Sequence, residues 1–107
     1  MKTNPLRVDQ VDALKLCELW YPKRAEVTMT SQVIALAESA GLFPWLARYP
    51  EGRSREVAFG ARVLRHMGGY DWGSYHVWKV PFGSGWRYYC TEARDPRQRN
   101  TPSQAAR

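Results

Sequence analysis

The sequence predicts an α+β domain in which three to four helices precede a C-terminal β-hairpin. Segments with apolar side chains at helical spacing, bounded by proline and glycine, occupy the chain up to residue 67. Residues 74–91 instead hold two runs rich in tyrosine, tryptophan and valine, separated by a turn containing proline and glycine. A chain of 107 residues has the size of one domain and can bury a core without disulfides or metal.

The first part of the chain predicts two helices joined by a short β-prone segment. Residues 8–20 contain regularly recurring large apolar side chains and neither proline nor glycine, which is typical of a helix. Residues 27–29 favour a strand. Thr30 or Ser31 can cap a second helix, and Gly41 is a natural terminator for it.

The clearest predicted element is a helix over residues 54–67, which follows one or two helical turns beginning at residues 42–46. Ser54 is placed to cap this helix, and the double glycine at positions 68 and 69 ends it. Most of its apolar side chains fill one broad arc, whereas the opposite arc of about 120° contains no acidic residue. That second arc holds Ser54, Arg55, Ala58, Arg62, Arg65 and His66.

The hairpin is predicted from strands over residues 74–80 and 86–91, with a five-residue turn over 81–85. Because side chains alternate between the two faces of a strand, about half of the rings here belong to the core. The remaining rings could stack on unpaired bases or pack on DNA sugars. The pattern leaves this choice most open for Trp78 and Tyr89.

The net positive charge of the chain comes entirely from its second half. Residues 1–52 carry six basic and six acidic side chains, whereas residues 53–107 carry ten basic and four acidic ones. Nine of those ten are arginine, which binds phosphate and guanine through bidentate contacts, so the pattern indicates a polyanionic partner. The alternative is that the charge only maintains solubility. Residues 1–93 are predicted to form the single domain, followed by a basic, disordered tail over 94–107.

Three stretches carry a resemblance to a known family: residues 57–65 (VAFGARVLR), residues 68–70 (GGY) and residues 85–88 (GWRY). With the predicted order of helix, short strand, helix, helix and hairpin, they resemble the winged-helix variant of the helix-turn-helix. The similarity is to the modules attached to primase and helicase replication proteins of phages and plasmids. The resemblance implies that the helix over 54–67 is the recognition helix and that residues 81–85 form the tip of the wing.

This resemblance implies a non-enzymatic DNA-binding protein of a mobile element, acting in replication or transcriptional control on double-stranded DNA. A recognition helix needs long hydrogen-bond donors around small residues, so that its backbone can approach the groove. The wing turn contains neither arginine nor lysine, so phosphate contacts are expected from the strands and the tail. The candidate nucleic-acid-binding residues are Arg53, Arg55, Arg62, Arg65, His66, Lys79 and Arg87.

The sequence does not predict catalysis, a metal site or a membrane span. Asp71, His66 and His76 have no second carboxylate or nucleophile at a defined spacing. Cys17 and Cys90 lack the spacing of a metal site, and their small number indicates a reducing cytoplasm. No apolar run approaches the roughly 20 residues of a transmembrane helix. A cytoplasmic protein without cofactor or metal is therefore expected.

A second interpretation belongs to a different functional class. Winged-helix-like domains also serve as protein-interaction modules, such as a small phage protein that docks on a host or replication protein. DNA binding should weaken steeply with salt, whereas a protein interface with an apolar centre should change much less. The first helix, which ends near Trp20 and Tyr21, is a candidate homodimer surface; a monomer is the alternative.

Overall fold

Three helices precede a three-stranded antiparallel sheet in this computed structural model, which describes residues 8–93. The predicted α+β class and the C-terminal hairpin are confirmed, with three of the predicted three to four helices. The predicted tail over 94–107 lies outside the described residues. Helix α1 spans Gln10–Trp20, α2 spans Thr30–Ser39 and α3 spans residues 53–67, with short 3-10 turns at Tyr21–Lys23 and Pro44–Arg48. The strands are β1 (Asp71–Trp72), β2 (Tyr75–Phe82) and β3 (Gly85–Glu92).

Side chains just outside the first two helices fix where each begins. The Asp9 carboxylate caps α1 by accepting a hydrogen bond from the Asp12 backbone N–H at 3.0 Å. Helix α2 begins at Thr30, but neither Thr30 nor Ser31 caps it. The Gln32 side-chain oxygen instead reaches back to the backbone N–H groups before the helix, the arrangement of half a capping box.

The β-prone segment over residues 27–29 is not a strand, and the predicted strand there is wrong. The backbone N–H groups of Thr28 and Met29 both donate to the Gln32 side chain at 3.0 Å, so they cannot pair with a strand. One link to the sheet does form, because the Tyr88 N–H in β3 donates to the Thr28 carbonyl at 2.9 Å. The segment is therefore fastened to the β3 edge of the sheet by a single hydrogen bond.

The core lies between α1, α2, α3 and the inner face of the sheet. Trp20 is fully buried and its indole N–H donates to the Val27 carbonyl at 2.7 Å, so this tryptophan cannot belong to a dimer surface. Tyr21 packs on Tyr75, with ring centroids 5.5 Å apart. Other large buried side chains include Leu16, Val33, Ile34, Leu42, Phe43, Leu46, Phe59, Val63, Leu64, Met67, Trp72, Val77 and Tyr88.

The hairpin turn is tighter than the sequence pattern indicates. Pro81 lies opposite Trp86 and Phe82 lies opposite Gly85, so two residues rather than five connect the strands. Gly83, with φ of 60°, supplies the left-handed backbone that a two-residue turn requires. Pro81 fits in β2 because β1 pairs only with residues 75 and 76, so position 81 lies on a free edge that needs no N–H donor.

Gly68 is required where the end of α3 meets β2. A Cβ atom at this position would lie 2.6 Å from the Lys79 Cβ, which belongs to the rigid base of that side chain. We therefore expect Gly68→Ala to lower the free energy of unfolding by about 1–3 kcal/mol through overpacking. Gly85→Ala is the matched control, because no atom lies within 4 Å of the added methyl group. Urea denaturation of both variants measures the difference, and equal midpoints would contradict this account.

Candidate nucleic-acid interface

Helix α3, the predicted recognition helix, is regular only at its two ends. It consists of an α-helical segment Arg53–Phe59, a π-helical turn Gly60–Leu64 and a last α-helical turn Arg65–Met67. Gly52 occupies the N-cap position and no side chain caps the helix, so the prediction that Ser54 is the cap is wrong. The predicted end at Gly68 is confirmed, where the backbone leaves the helical conformation.

The π-helical turn changes which residues of α3 face the core. A π-helical turn holds one residue more than an α-helical turn. Buried side chains on its two sides can therefore lie five residues apart in sequence, as Phe59 and Leu64 do. The prediction that Ala58 separates the arginines on the solvent face is wrong, because Ala58 is buried. Val57 and Ala61, which the helical spacing of the sequence places on the apolar arc with Phe59, are exposed instead. Ala61 is therefore the small residue on the solvent face of α3.

The π-helical turn leaves Arg55 on the side of the helix that contacts the protein. Its Nε and Nη2 atoms donate to the Tyr49 carbonyl at 3.1 and 2.7 Å, and Nη1 donates to the Glu38 carboxylate at 2.9 Å. Only 17% of its side chain is exposed. Glu38, Glu51 and Glu56 line the groove beside it. Arg55 therefore joins α3 to α2 and to the preceding turn. Because its guanidinium donates to protein acceptors, Arg55 is not part of the candidate interface.

Arg55 is accordingly expected to matter for stability and not for DNA binding. Arg55→Met removes three hydrogen bonds and leaves the Tyr49 carbonyl without its donors, which should cost about 1–3 kcal/mol of unfolding free energy. The control is Arg53→Met, at the exposed first position of α3, which should change stability by less than about 0.5 kcal/mol. Urea denaturation and duplex titration are the measurements. An Arg55→Met variant with wild-type stability but no DNA binding would return Arg55 to the interface.

A groove of about 320 Å³ beside the C-terminal half of α3 combines basic and aromatic side chains. The rings of Trp45 and Tyr49 meet edge to face at 6.3 Å, and the Arg62 guanidinium carbon lies 5.9 Å from the centroid of each ring. Arg48 and His66 complete the lining, which contains no carboxylate. Sequence reasoning missed Arg48, because it lies in the half of the chain whose charges cancel. The sequence feature that could have identified Arg48 is its position three residues after Trp45, which places both side chains on one side of a short helical turn.

Arg65 lies where α3 approaches the sheet. It is exposed, and its guanidinium is near the side chain of Tyr88 in β3. Burial raises the pKa of Tyr88, and the nearby positive charge of Arg65 partly opposes that rise. Tyr88 therefore stays protonated at neutral pH, with the positive charge of Arg65 nearby.

The two basic residues of the hairpin lie on opposite faces. Lys79 is on the inner face, directly opposite Tyr88, and its Nζ lies 5.0 Å from the Trp86 ring centroid. Arg87 is on the outer face, with its guanidinium carbon 3.9 Å from the Phe82 ring centroid. Lys79 therefore lies against the end of α3 at Gly68, whereas Arg87 belongs to a separate surface.

The structure brings together Asp71 and His76, two residues that the sequence analysis did not pair. They face each other across β1 and β2, with Asp71 Oδ1 and His76 Nδ1 2.6 Å apart. The His76 ring also meets Trp78 edge to face at 4.5 Å. Such a pair fastens the two-residue strand β1 to β2. The groove that this pair lines also contains Tyr70, Trp78 and Lys79, and no serine, threonine or cysteine.

Metal sites, membrane-spanning helices and similarity to known proteins each bear on the function of this chain. Residues 8–93 contain no cluster of three or more metal-ligating side chains. None of their helices has the length and apolar composition needed to cross a membrane. Comparison of the chain with protein-family models, with curated proteins and with solved structures finds no match in any of the three.

Proposed function

We propose that the protein binds double-stranded DNA through one surface, the α3 basic surface, formed by Arg48, Arg62, Arg65, His66 and Lys79. One observation carries the proposal. Arginines from α3 and from the turn before it line a groove without any carboxylate, and Lys79 extends the same charge onto the hairpin. Within residues 8–93, Arg62 and Arg65 take part in no salt bridge, so their charges are available to a polyanion.

The order of elements supports this assignment of α3. Three helices followed by a hairpin, with residues 27–29 fastened to the β3 edge, are compatible with a winged helix. In that arrangement the third helix enters the major groove, and the inner face of the hairpin, which carries Lys79, lies near the backbone. Helix α3 is 15 residues long, about 22 Å, and Ala61 lets its backbone come close to the groove floor.

The basic residues of this surface are expected to make two kinds of contact with DNA. Arg62 and Arg65 project from α3 and can donate in pairs to guanine or to phosphate. Arg48, on the turn before α3, and Lys79, against the C-terminal end of α3, supply phosphate contacts. Each neutralised phosphate releases condensed counterions, so the affinity should depend strongly on salt.

Fluorescence anisotropy of a labelled duplex, titrated with the wild-type protein at two salt concentrations, tests the proposal. With four phosphate contacts, we expect the affinity to fall about 100-fold between about 50 and 200 mM salt. The absence of duplex binding at the lower salt concentration would contradict the proposal.

A protein-docking function is the second candidate, and one observation favours it. Val57 lies in the first half of α3 with 58% of its side chain exposed, which would suit the centre of an apolar interface. Binding to a protein through Val57 would vary little with salt and would be lost in Val57→Asp. DNA binding through the α3 basic surface should survive that substitution with at most a modest loss.

A further inference from the structure

The outer face of the hairpin, on the side opposite the core, carries an uncovered row of apolar and aromatic side chains. Trp78, Val80 and Phe82 alternate onto this face from β2, and Arg87 and Tyr89 lie across from them on β3. Phe82 is 58% exposed and Val80 41% exposed, while Trp78 and Tyr89 are half-buried. For Trp78 and Tyr89 the sequence pattern did not decide between the core and the outer face. Because they alternate with the buried Val77 and Tyr88, they lie on the outer face.

Two rings of this face, those of Trp78 and Phe82, are oriented by contacts with neighbouring side chains. The Trp78 indole N–H donates to the Thr91 hydroxyl at 2.8 Å, and its ring meets His76 edge to face at 4.5 Å. The Arg87 guanidinium lies over Phe82 with its carbon 3.9 Å from the ring centroid. A ligand that stacks on these groups would therefore lose little affinity to ordering them.

The charge of this face selects one class of ligand. From Trp78 to the turn, the residues of the outer face include the cation Arg87 and no carboxylate. An apolar face with a guanidinium on it suits a ligand that has flat rings and phosphates together. Unpaired nucleotides have both, and single-stranded nucleic acids bind aromatic and arginine side chains in this way.

We propose that the outer face is a stacking platform for unpaired nucleotides of a single strand. One base stacks at Trp78 and Tyr89, a second stacks at the Phe82–Arg87 pair, and Arg87 also contacts the phosphate between them. Trp78 and Phe82 are four residues apart, about 14 Å along the strand, which leaves room for two successive bases. The proposal rests on nucleic-acid binding as the protein's function, but its site is separate from the α3 basic surface.

The test compares single strands of equal charge with and without bases. Labelled oligo(dT), oligo(U) and an abasic strand of the same length are titrated by fluorescence anisotropy, beside the duplex. We expect at least one base-carrying strand to bind about tenfold more tightly than the abasic strand, and the dT and U arms identify DNA or RNA as the source. Phe82→Ala/Tyr89→Ala should remove that difference and leave duplex affinity unchanged.

Two further measurements keep the outcomes distinguishable. Val11→Ala/Leu19→Ala, which trims exposed apolar side chains of α1, is the matched control and should retain the preference for bases. Equal binding of all three single strands, with duplex binding intact, would overturn the platform and leave the proposed function standing. Failure to bind any nucleic acid would overturn both. Sedimentation that reveals a dimer in the wild type and a monomer in Phe82→Ala/Tyr89→Ala would assign the face to a second copy and overturn the platform.

Discussion

The Arg62→Ala/Arg65→Ala variant is expected to bind duplex DNA about 100-fold more weakly than the wild type at low salt. Each arginine can make a charge-assisted or bidentate contact of about 1–3 kcal/mol, and both side chains are exposed on one half of α3. If both contacts reach phosphates, the slope of log affinity against log salt should also fall by about 2. Anisotropy titrations across a salt series measure both quantities.

Lys15→Ala/Lys23→Ala is the control for this experiment. It removes the same two positive charges from exposed positions in α1 and in the turn after it, away from the α3 basic surface. An equal loss of affinity in both variants would mean that only the net charge matters, which would contradict a specific surface. Because Arg65 also lies near Tyr88, thermal unfolding by circular dichroism must establish that the arginine variant is folded.

Trp20→Ala is expected to have the largest effect on stability, a loss of about 3–5 kcal/mol. The indole is fully buried, and its loss would leave a cavity between α1 and the rest of the core. Since small domains are stable by only about 5–15 kcal/mol, such a loss can unfold a substantial part of the population. Trp20→Phe separates the two contributions: it keeps most of the volume but leaves the Val27 carbonyl without its donor.

Leu19→Ala serves as the neighbouring control. Leu19 is 39% exposed, so its truncation should cost less than about 1 kcal/mol. Urea denaturation of the three variants should rank the losses as Trp20→Ala, then Trp20→Phe, then Leu19→Ala. Similar losses for Trp20→Ala and Leu19→Ala would contradict the buried position of Trp20 and return it to the candidate dimer surface on α1.

Local signals explain which parts of the fold were predictable. The end of α3 at Gly68 and the hairpin around Gly83 each follow from the preferences of one or two residues. The two-residue strand β1 had no such signal, because it exists only through its pairing with residues 75 and 76. The composition of residues 27–29 favours a strand. The Gln32 side chain, however, accepts hydrogen bonds from the backbone N–H groups that would pair with a neighbouring strand.

The sequence by itself determined the class of the fold, the position of its basic half and the identity of α3 as the most basic helix. Only the tertiary structure decided which charges act together. The π-helical turn in α3 shifted the buried face by one residue, and the Glu38 carboxylate and Tyr49 carbonyl bound Arg55. Strand alternation placed Lys79 beside α3 and Arg87 on the outer face. The physical reason is that charge and propensity are properties of single residues, whereas a binding surface depends on contacts between residues far apart in the chain.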